Sequence, residues 1–291
     1  MELATHIANL KTLTYKAIKN FDTIYLGDPT CPKFPGNISS GNDLDEAVDT
    51  VKKLGKKCYL SLYSVPRTKD FEWIDAIIKK AEKLPIDGFE IHNMGLLRLV
   101  KSKDIHAGIF INLYTKQTAE LLKQFGVSRV FPNPELALEE IDIIKKSIQI
   151  SMPIAGNIPL GISDHCFFID ELKMNGDCET LCQKPHWLKQ DDWQLGNIGR
   201  APVSGYELCM AEYFKDLINS GYKHFYIYGF RKDETYLESV SSIYKDLAEE
   251  KIKSDYALKK LSELAEFGIC NGYFFKQSGY KYISKQNKEA I

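Results

Sequence analysis

Three cysteines lie close together near the middle of the chain, in the run HCFFIDELKMNGDCETLC; they are Cys166, Cys178 and Cys182. A fourth, Cys31, lies far upstream in YLGDPTCPKF. Four cysteine thiolates can bind an iron–sulfur cluster or a structural zinc ion. Structural zinc sites usually use two short paired spacings, whereas here one ligand is isolated, which favours a cluster held by two loops. Zinc and four unligated thiols are the alternatives.

The nearby histidines and the remaining cysteines are weaker candidates. His165 and His186 flank the three cysteines and could ligate a metal, although residues beside a metal centre more often orient its ligands. Cys58, Cys209 and Cys270 lie in apolar runs, and free cysteine is among the most buried residue types. We therefore expect these three cysteines to pack in the core.

The elements that must position the cysteines alternate between short β-rich runs and amphipathic helical stretches. In each helical stretch apolar residues recur at i, i+3 and i+4, which predicts one buried stripe. Several stretches end at Gly55, Gly126 and Gly221, where we expect left-handed C-caps. The alternation predicts βαβ units and a parallel sheet. The candidate strands are DTIYLGD, KCYLSLYSV, GFEIHNM, HAGIFINLY, RVFPN, ISMPIAGN and HFYIYGF, and the helical stretches are DLDEAVDTVKKLG, DFEWIDAIIKKAEKLP, KQTAELLKQFG, ELALEEIDIIKKS and SGYELCMAEYFKDLINSG.

The number of units predicts a single α/β domain over residues 1–291 with a TIM-barrel-like (β/α)8 fold. An open doubly wound sheet is the alternative, because periodicity does not show closure. Residues 161–203 follow a late strand without a clean period, which predicts an irregular insertion that carries three cysteines. Residues 233–291 are expected to form a C-terminal extension of helices and a short strand. Loops at the carboxyl ends of barrel strands form the functional face, so Cys31 and the insertion are expected to meet there.

Composition and charge exclude several classes of protein. The chain is 44% hydrophobic but has no apolar run of about 18 residues, so no membrane span is expected. It shows no secretory signal, so we expect a cytoplasmic location, where seven cysteines argue against a disulfide framework. The net charge is −1 and lysines are interspersed with acids, so no nucleic-acid partner is expected.

Polar residues at predicted strand ends could line a substrate pocket. We take His92, Asn93, Asn112, Glu135 and Arg200 as candidate catalytic residues, although a polar residue on the barrel rim is the simpler interpretation of each. Arginine pairs with carboxylates through two parallel hydrogen bonds, which also makes Arg67 a candidate anion ligand. Neither a GxSxG nor an HExxH motif occurs, which argues against proteolysis. The other strand-end candidates are Ser64, Glu90, Tyr114 and Asn133.

Several of these runs resemble the peptidase U32 family of collagenase-like proteins. The resemblance rests on FDTIYLGD, GFEIHNMGLL, INLYTKQTAELLKQFGVSRVFPNPELALEEI and MPIAGNIPLGISDHC, and it extends in the family's motif order over about residues 1–245. Within the family the chain is most similar to the UbiV-like iron–sulfur subunits, because a cysteine follows YLGDPT and a C-x3-C pair follows IPLGISDHC. His165 stands where those sequences usually have arginine.

The resemblance implies a (β/α)8-type fold and a 4Fe–4S cluster bound by Cys31, Cys166, Cys178 and Cys182. It also implies a heterodimer with a UbiU-like family member that hydroxylates an aromatic quinone precursor of ubiquinone without dioxygen, with prephenate as oxygen source. The alternatives are a non-catalytic iron–sulfur partner subunit, a U32-type peptidase and an RNA-base hydroxylase.

Overall fold

A parallel β-barrel forms the body of the protein in a computed structural model, which describes residues 1–101, 103–171, 178–191 and 193–288. Residues 172–177 and 192 of the predicted insertion and 289–291 of the predicted extension lie outside the described residues. The strands are β1 Glu2–Ile7, β2 Thr23–Leu26, β3 Lys57–Ser61, β4 Gly88–Ile91, β5 Asp104–Ala107, β6 Val127–Val130, β7 Gln149–Pro159, β8 His186–Gln190, β9 Trp193–Asn197, β10 Pro202–Cys209, β11 His224–Ile227 and β12 Ile269–Cys270.

Parallel pairing closes the barrel. Each of β1 to β6 pairs in parallel with the next strand, β11 pairs in parallel with β7, and β11 also pairs in parallel with β1. Glu2 lies opposite His224, and Ser151 lies opposite the other side of the same residue. The predicted (β/α)8 barrel is therefore confirmed, and an open doubly wound sheet is excluded. The N-terminal strand β1, absent from the candidate strands above, supplies the eighth position.

Helices cover the outside of the barrel and match most of the predicted helical stretches. Their apolar faces are buried, as in α3, where Ile74, Ile77 and Ile78 point inward. Gly55, Gly126 and others adopt positive φ, as expected for helix C-caps. The helices are α1 Tyr15–Ile18, α2 Leu44–Lys53, α3 Phe71–Ala81, α4 Lys116–Gln124, α5 Leu138–Lys145, α6 Phe167–Asp170, α7 Cys178–Leu181, α8 Phe214–Asn219, α9 Glu234–Ala248, α10 Ser254–Leu264 and α11 Lys285–Lys288, with single 3-10 turns at Ile38–Ser40, Thr68–Asp70, Met94–Arg98, Ile109–Ile111, Ala211–Tyr213 and Gly272–Phe275.

The predicted irregular insertion contains regular structure. Strand β7 continues beyond the barrel and pairs antiparallel with β10, which pairs in turn with β9, and β9 forms a hairpin with β8. The helix predicted over 204–221 is wrong for its first part, because residues up to Cys209 belong to β10. Burial alternates along most of β10, and the protruding part of β7 offers the backbone partners that a strand needs. The helical part begins only at Ala211.

One short strand of the C-terminal extension joins this added sheet. Helices α9 and α10 confirm the helical signal at 233–266, and β12 pairs in parallel with β10. The apolar run around Cys270 contributes only a two-residue strand before a 3-10 turn. No helix among the described residues is long and apolar enough to cross a membrane.

Gly156 marks the point where β7 leaves the barrel, and it provides a test of this architecture. Its φ is +96°, and an added Cβ would lie 2.5 Å from the Tyr228 carbonyl oxygen. Gly126 has a similar φ of +87° but no atom within 4 Å of the added Cβ. We expect Gly126→Ala to cost about 1–2 kcal/mol of unfolding free energy and Gly156→Ala about 1–3 kcal/mol more, measured by urea unfolding. Equal losses for the two variants would contradict the close approach.

Candidate functional site

Four cysteines from two loops converge at the carboxyl end of the barrel. Cys31 lies in the connection after β2, and Cys166 immediately precedes α6 in the connection after β7. Cys178 begins α7, and Cys182 follows it. The four side chains line one small pocket together with Ile198, Gly199 and Arg200, and they pack against Phe34 and Phe168. The residues that the sequence singled out are thus neighbours in space.

Hydrogen bonds to Asn37 shape the loop that carries Cys31. The Asn37 side chain donates to the Cys31 carbonyl oxygen at 2.8 Å and accepts from the Asp28 backbone N–H at 2.9 Å. The backbone N–H of Lys33 donates to the Cys31 thiol. This loop therefore presents the sulfur in a fixed position, with a backbone donor that favours its anionic form.

Gly199 allows the second loop to approach Cys166 closely. Its φ is +95°, and an added Cβ would lie 3.3 Å from the Cys166 sulfur. The Gly199 carbonyl oxygen accepts the Phe167 N–H at 2.7 Å, which ties the start of α6 to the turn between β9 and β10. A glycine is needed here because a side chain would both strain the backbone and crowd the sulfur.

Burial and the nearby arginines shift the pKa values of the cysteines in opposite directions. Burial raises the pKa of Cys182 to about 12 even though Arg231 lowers it, and burial and Asp28 raise the pKa of Cys31 against Arg200 and Arg231. In this pocket a thiolate is therefore costly without a positive partner such as a metal centre. The three other cysteines are buried away from this pocket, as expected for core residues: Cys58, Cys209 and Cys270.

A second polar cluster lies inside the barrel, around Glu90. The Glu90 carboxylate is fully buried, and its Oε2 lies 2.6 Å from His6 Nε2, 3.0 Å from His92 Nε2 and 2.5 Å from Ser61 Oγ. Tyr226 contacts the other ring nitrogen of His6. Glu90 and His92 were strand-end candidates in the sequence, whereas the contributions of His6, Ser61 and Tyr226 come from other strands.

The ligand atoms of His6, Glu90 and His92 lie within 4.8 Å of one another, so a metal ion is one conceivable occupant. The neighbouring hydrogen-bond donors indicate that protons, and not a metal ion, lie between these side chains. The Phe110 N–H points to His92 Nδ1 at 3.4 Å, so in the neutral ring the proton lies on Nε2 and is donated to Glu90. The same reasoning places a proton on His6 Nε2, with Tyr226 donating to Nδ1. The cluster is therefore a hydrogen-bond network in which three donors share one carboxylate oxygen.

The cluster also lacks the arrangement of a hydrolytic triad. Ser61 Oγ lies 3.3 Å from His92 Nε2, but Glu90 contacts the same nitrogen. In a triad the carboxylate binds the opposite nitrogen of the histidine and orients it toward the serine. Ser61 is fully buried as well, which leaves its hydroxyl without access to a peptide.

The remaining candidate residues are divided between two places. Arg200 lines the cysteine pocket, where its Nη1 donates to Tyr63 at 2.6 Å and to Asp164 at 3.1 Å. Arg67 is exposed and also pairs with Asp164. The others lie over the ends of β4 to β6, away from the cysteines: Asn93 caps a 3-10 turn, Asn133 donates to Asn112, and Tyr114 donates to Glu135.

Ser64 and His186 contact backbone carbonyl oxygens, whereas His165 lies at the surface. Ser64 is buried and donates to the Pro29 carbonyl oxygen at 2.7 Å. His165 is 82% exposed beside Asp170, and His186 Nε2 lies 3.0 Å from the Leu181 carbonyl oxygen. His186 therefore contacts the segment between Cys178 and Cys182 through the backbone.

A cavity of about 160 Å³ adjoins both the cysteine loops and the barrel mouth. It is lined by His6, Asn9, Phe34, Gln183 and Arg231, among others. Phe34 packs against the cysteines, and Gln183 directly follows Cys182. Sequence reasoning missed this cavity and its arginine, although Arg231 follows the predicted strand HFYIYGF, which is a position where functional residues are expected.

The three donors around Glu90 give a stability test. Burial raises the pKa of Glu90, but His6 and His92 outweigh it and hold the pKa well below its usual range. The carboxylate therefore stabilises the fold above its unfolded pKa of about 4.3, and this contribution is lost as the pH falls through the lower folded value. We expect Glu90→Gln to lose about 3–5 kcal/mol of unfolding free energy at pH 7, measured by urea unfolding. The difference in unfolding free energy between this variant and the parent should become smaller below about pH 4.

The matched control is Glu135→Gln, which changes an exposed glutamate in the connection after β6. Its unfolding free energy should stay within about 0.5 kcal/mol of the parent. If Glu90→Gln were as stable as this control at pH 7, the buried network would not hold the barrel together.

Sequence comparison finds relatives whose names refer to the hydroxylation of RNA. The chain is 22% identical over 233 residues to a 23S rRNA 5-hydroxycytidine synthase of Escherichia coli (strain K12), covering 78% of this chain and 36% of that protein. It is 25% identical over 212 residues to tRNA hydroxylation protein P of the same organism, covering 68% of this chain and 46% of that protein. The chain thus spans less than half the length of these two relatives.

A solved structure and a family profile are also similar to the chain. A U32 peptidase of known structure is similar with a TM-score of 0.44 and 13% identity, over 54% of this chain and 70% of that chain. The profile of peptidase family U32 matches residues 8–284, which is nearly the whole chain. The chain belongs to peptidase family U32.

Proposed function

We propose that this chain binds a 4Fe–4S cluster through Cys31, Cys166, Cys178 and Cys182 and acts as a subunit of an oxygen-independent hydroxylase of aromatic rings. The observation that carries the proposal is the convergence of these four cysteines, from two separate loops, on one pocket. Four thiolates complete the ligand set of such a cluster.

The placement of the cysteines on the chain supports a cluster over a single zinc ion. Structural zinc sites usually take their ligands as two closely spaced pairs. Here Cys31 comes from the connection after β2, and the other three cysteines come from the connection after β7. Such a set suits a cluster in which each thiolate binds a different iron.

The surrounding residues suit a buried, anionic group. Phe34 and Phe168 pack against the cysteines, of which Cys166 and Cys182 are buried, and the Lys33 N–H donates to Cys31. Arg200 and Arg231 supply positive charge. The cluster, when bound, would supply one-electron transfer, a chemistry that side chains alone do not provide.

The size of the adjoining cavity supports an aromatic ring as substrate. An engineered cavity of about 150 Å³ in another protein binds benzene, so a cavity of about 160 Å³ accommodates one six-membered ring. In this position the ring would lie between Phe34 and His6, with Gln183 connecting the cavity wall to Cys182. The His6–Glu90 network would then border the substrate and hold a proton at His6 Nε2.

We further propose that the ring belongs to a quinone precursor in ubiquinone biosynthesis, that prephenate provides the oxygen, and that the chain works as a heterodimer with a UbiU-like family member. The UbiV-like cysteine pattern and the net charge of −1 support this choice. An RNA base is the second candidate, because the relatives named above include an rRNA hydroxycytidine synthase and a tRNA hydroxylation protein.

Cluster binding is tested by single Cys→Ser variants purified without oxygen, alone and co-expressed with the UbiU-like protein. We expect replacement of Cys31, Cys166, Cys178 or Cys182 to abolish most of the bound iron and sulfide, because each thiolate is one of four ligands. The readouts are iron and sulfide content and the visible absorption of the cluster.

Cys58→Ser is the matched control, since Cys58 is a fully buried cysteine on β3, outside the pocket. It should retain parental iron and sulfide. Loss of iron in Cys58→Ser but not in Cys31→Ser would overturn the ligand assignment. If the parent protein contained one zinc ion per chain and no sulfide, the site would be a zinc site and the cluster proposal would fail.

The substrate is tested by deleting the gene and growing the strain without oxygen. We expect ubiquinone to fall and its unhydroxylated precursors to accumulate, while hydroxylated nucleosides in rRNA and tRNA stay unchanged, all measured by mass spectrometry. Complementation with the parental gene or Cys58→Ser should restore ubiquinone, and Cys31→Ser should not. Loss of a hydroxylated nucleoside with normal ubiquinone would favour the RNA-base hydroxylase instead.

A further inference from the structure

Arg231 is a buried cation at the end of the barrel that carries the cysteine loops. Its side chain is 1% exposed, and its backbone has a φ of 58°, which is unusual for a residue with a Cβ. It directly follows Phe230, after the end of β11, so barrel closure brings it to the same face as the cysteine loops. A strained backbone that places a charged side chain in the interior is typical of functional positions.

One carboxylate fixes this arginine. Arg231 Nη1 donates to Asp28 Oδ2, and Asp28 is fully buried. The other oxygen of Asp28 accepts from the Thr30 backbone N–H at 2.7 Å and from the Thr30 hydroxyl at 2.6 Å. Because Asp28 and Thr30 belong to the loop that carries Cys31, the arginine is held against that loop.

The rest of the guanidinium is unpaired. Its Nε and Nη2 are buried without a hydrogen-bond partner anywhere in the described residues. Asp28 is therefore the one carboxylate that offsets the charge within this part of the chain. The Phe34 ring lies 3.8 Å from the guanidinium carbon, and an aromatic neighbour screens a charge far less than water does.

The field of this arginine reaches the cysteines. Phe34 contacts the cysteine group on one side and Arg231 on the other. Asp28 lies on the same loop as Cys31, and Asn37 bonds to the backbone of both residues. The two partners carry opposite charges, so they bias negative charge at the sulfurs with opposite signs.

We propose that the buried Arg231–Asp28 pair sets the reduction potential of the cysteine-bound centre, with Arg231 making the added electron less costly and Asp28 making it more costly. This inference rests on the proposed cluster and concerns its one-electron reduction, in which an external reductant gives up one electron and no bond is broken. A positive charge near such a centre stabilises the reduced form, which carries one more negative charge.

The test is an anaerobic redox titration with dithionite of the cluster-loaded protein, followed by electron paramagnetic resonance. We expect Arg231→Gln to lower the potential, so that the ratio of reduced to oxidised centre at a fixed solution potential falls about tenfold. Arg231→Lys keeps the charge and should stay close to the parent. Asp28→Asn should shift the potential upward, opposite to Arg231→Gln.

Arg67→Gln is the matched control, because Arg67 also pairs with an aspartate but is 59% exposed. Water screens its charge, so its removal should leave the potential unchanged. An unchanged potential in Arg231→Gln, or a shift equal to that of Arg67→Gln, would overturn the proposal. A downward shift of the reduction potential in Asp28→Asn, or no shift, would also overturn the proposal. This second variant tests the proposal even if Arg231→Gln does not fold.

Iron and sulfide content separates the two levels of inference. If the parent protein holds no cluster, the proposed function fails. If all variants hold the cluster and their potentials coincide, only the role of the Arg231–Asp28 pair fails.

Discussion

The pairing of β11 with both β1 and β7 is the constraint on which the rest of the structure depends. Neighbouring strands lie about 4.8 Å apart, so in an open sheet β2 and β7 would be separated by about 24 Å. Closure removes the sheet edges and brings all carboxyl ends around one axis. Only then do Cys31, after β2, and Cys166, after β7, reach the same pocket. The same closure brings Arg231, after β11, to Asp28, after β2.

Two different environments meet at this end of the barrel. The interior holds a polar network in which His6, Ser61 and His92 all donate to one oxygen of the fully buried Glu90 carboxylate, Oε2. The cysteine pocket is apolar by contrast, walled by phenylalanines. A ring-sized cavity lies at the boundary, with His6 on one side and Phe34 on the other. An aromatic substrate there would lie beside this hydrogen-bond network and beside Phe34, which packs against the proposed cluster ligands.

The length of β7 determines how the second cysteine loop is built. Most barrel strands here have four to six residues, whereas β7 has eleven and continues as the base of an antiparallel sheet. This sheet carries the turn with Gly199 and Arg200, which form part of the cysteine pocket. The described part of the insertion therefore has its own backbone pairing, and its Gly199 carbonyl oxygen accepts the N–H of Phe167, the residue after Cys166.

The sequence by itself determined much of this protein. Strand and helix periods, glycine caps and the positions of the cysteines after predicted strands were enough to predict the barrel, the face and the members of the cysteine group. Local patterns fail where an element depends on a distant partner. The helical period predicts a helix over part of β10, whose strand character depends on pairing with the protruding end of β7. The charge pattern likewise gave no sign that Arg200 would be engaged by Asp164 while Arg231 keeps an unpaired edge.

Tertiary structure alone decided which polar residues meet. His6 and Glu90 are separated by 84 positions, and Asp28 and Arg231 by 203, so no local period could pair them. Their pairing follows from barrel closure and from the cost of burying a charge without a partner. Residue types and spacing specify the chemistry that is available, and the closed sheet specifies which of those groups act together.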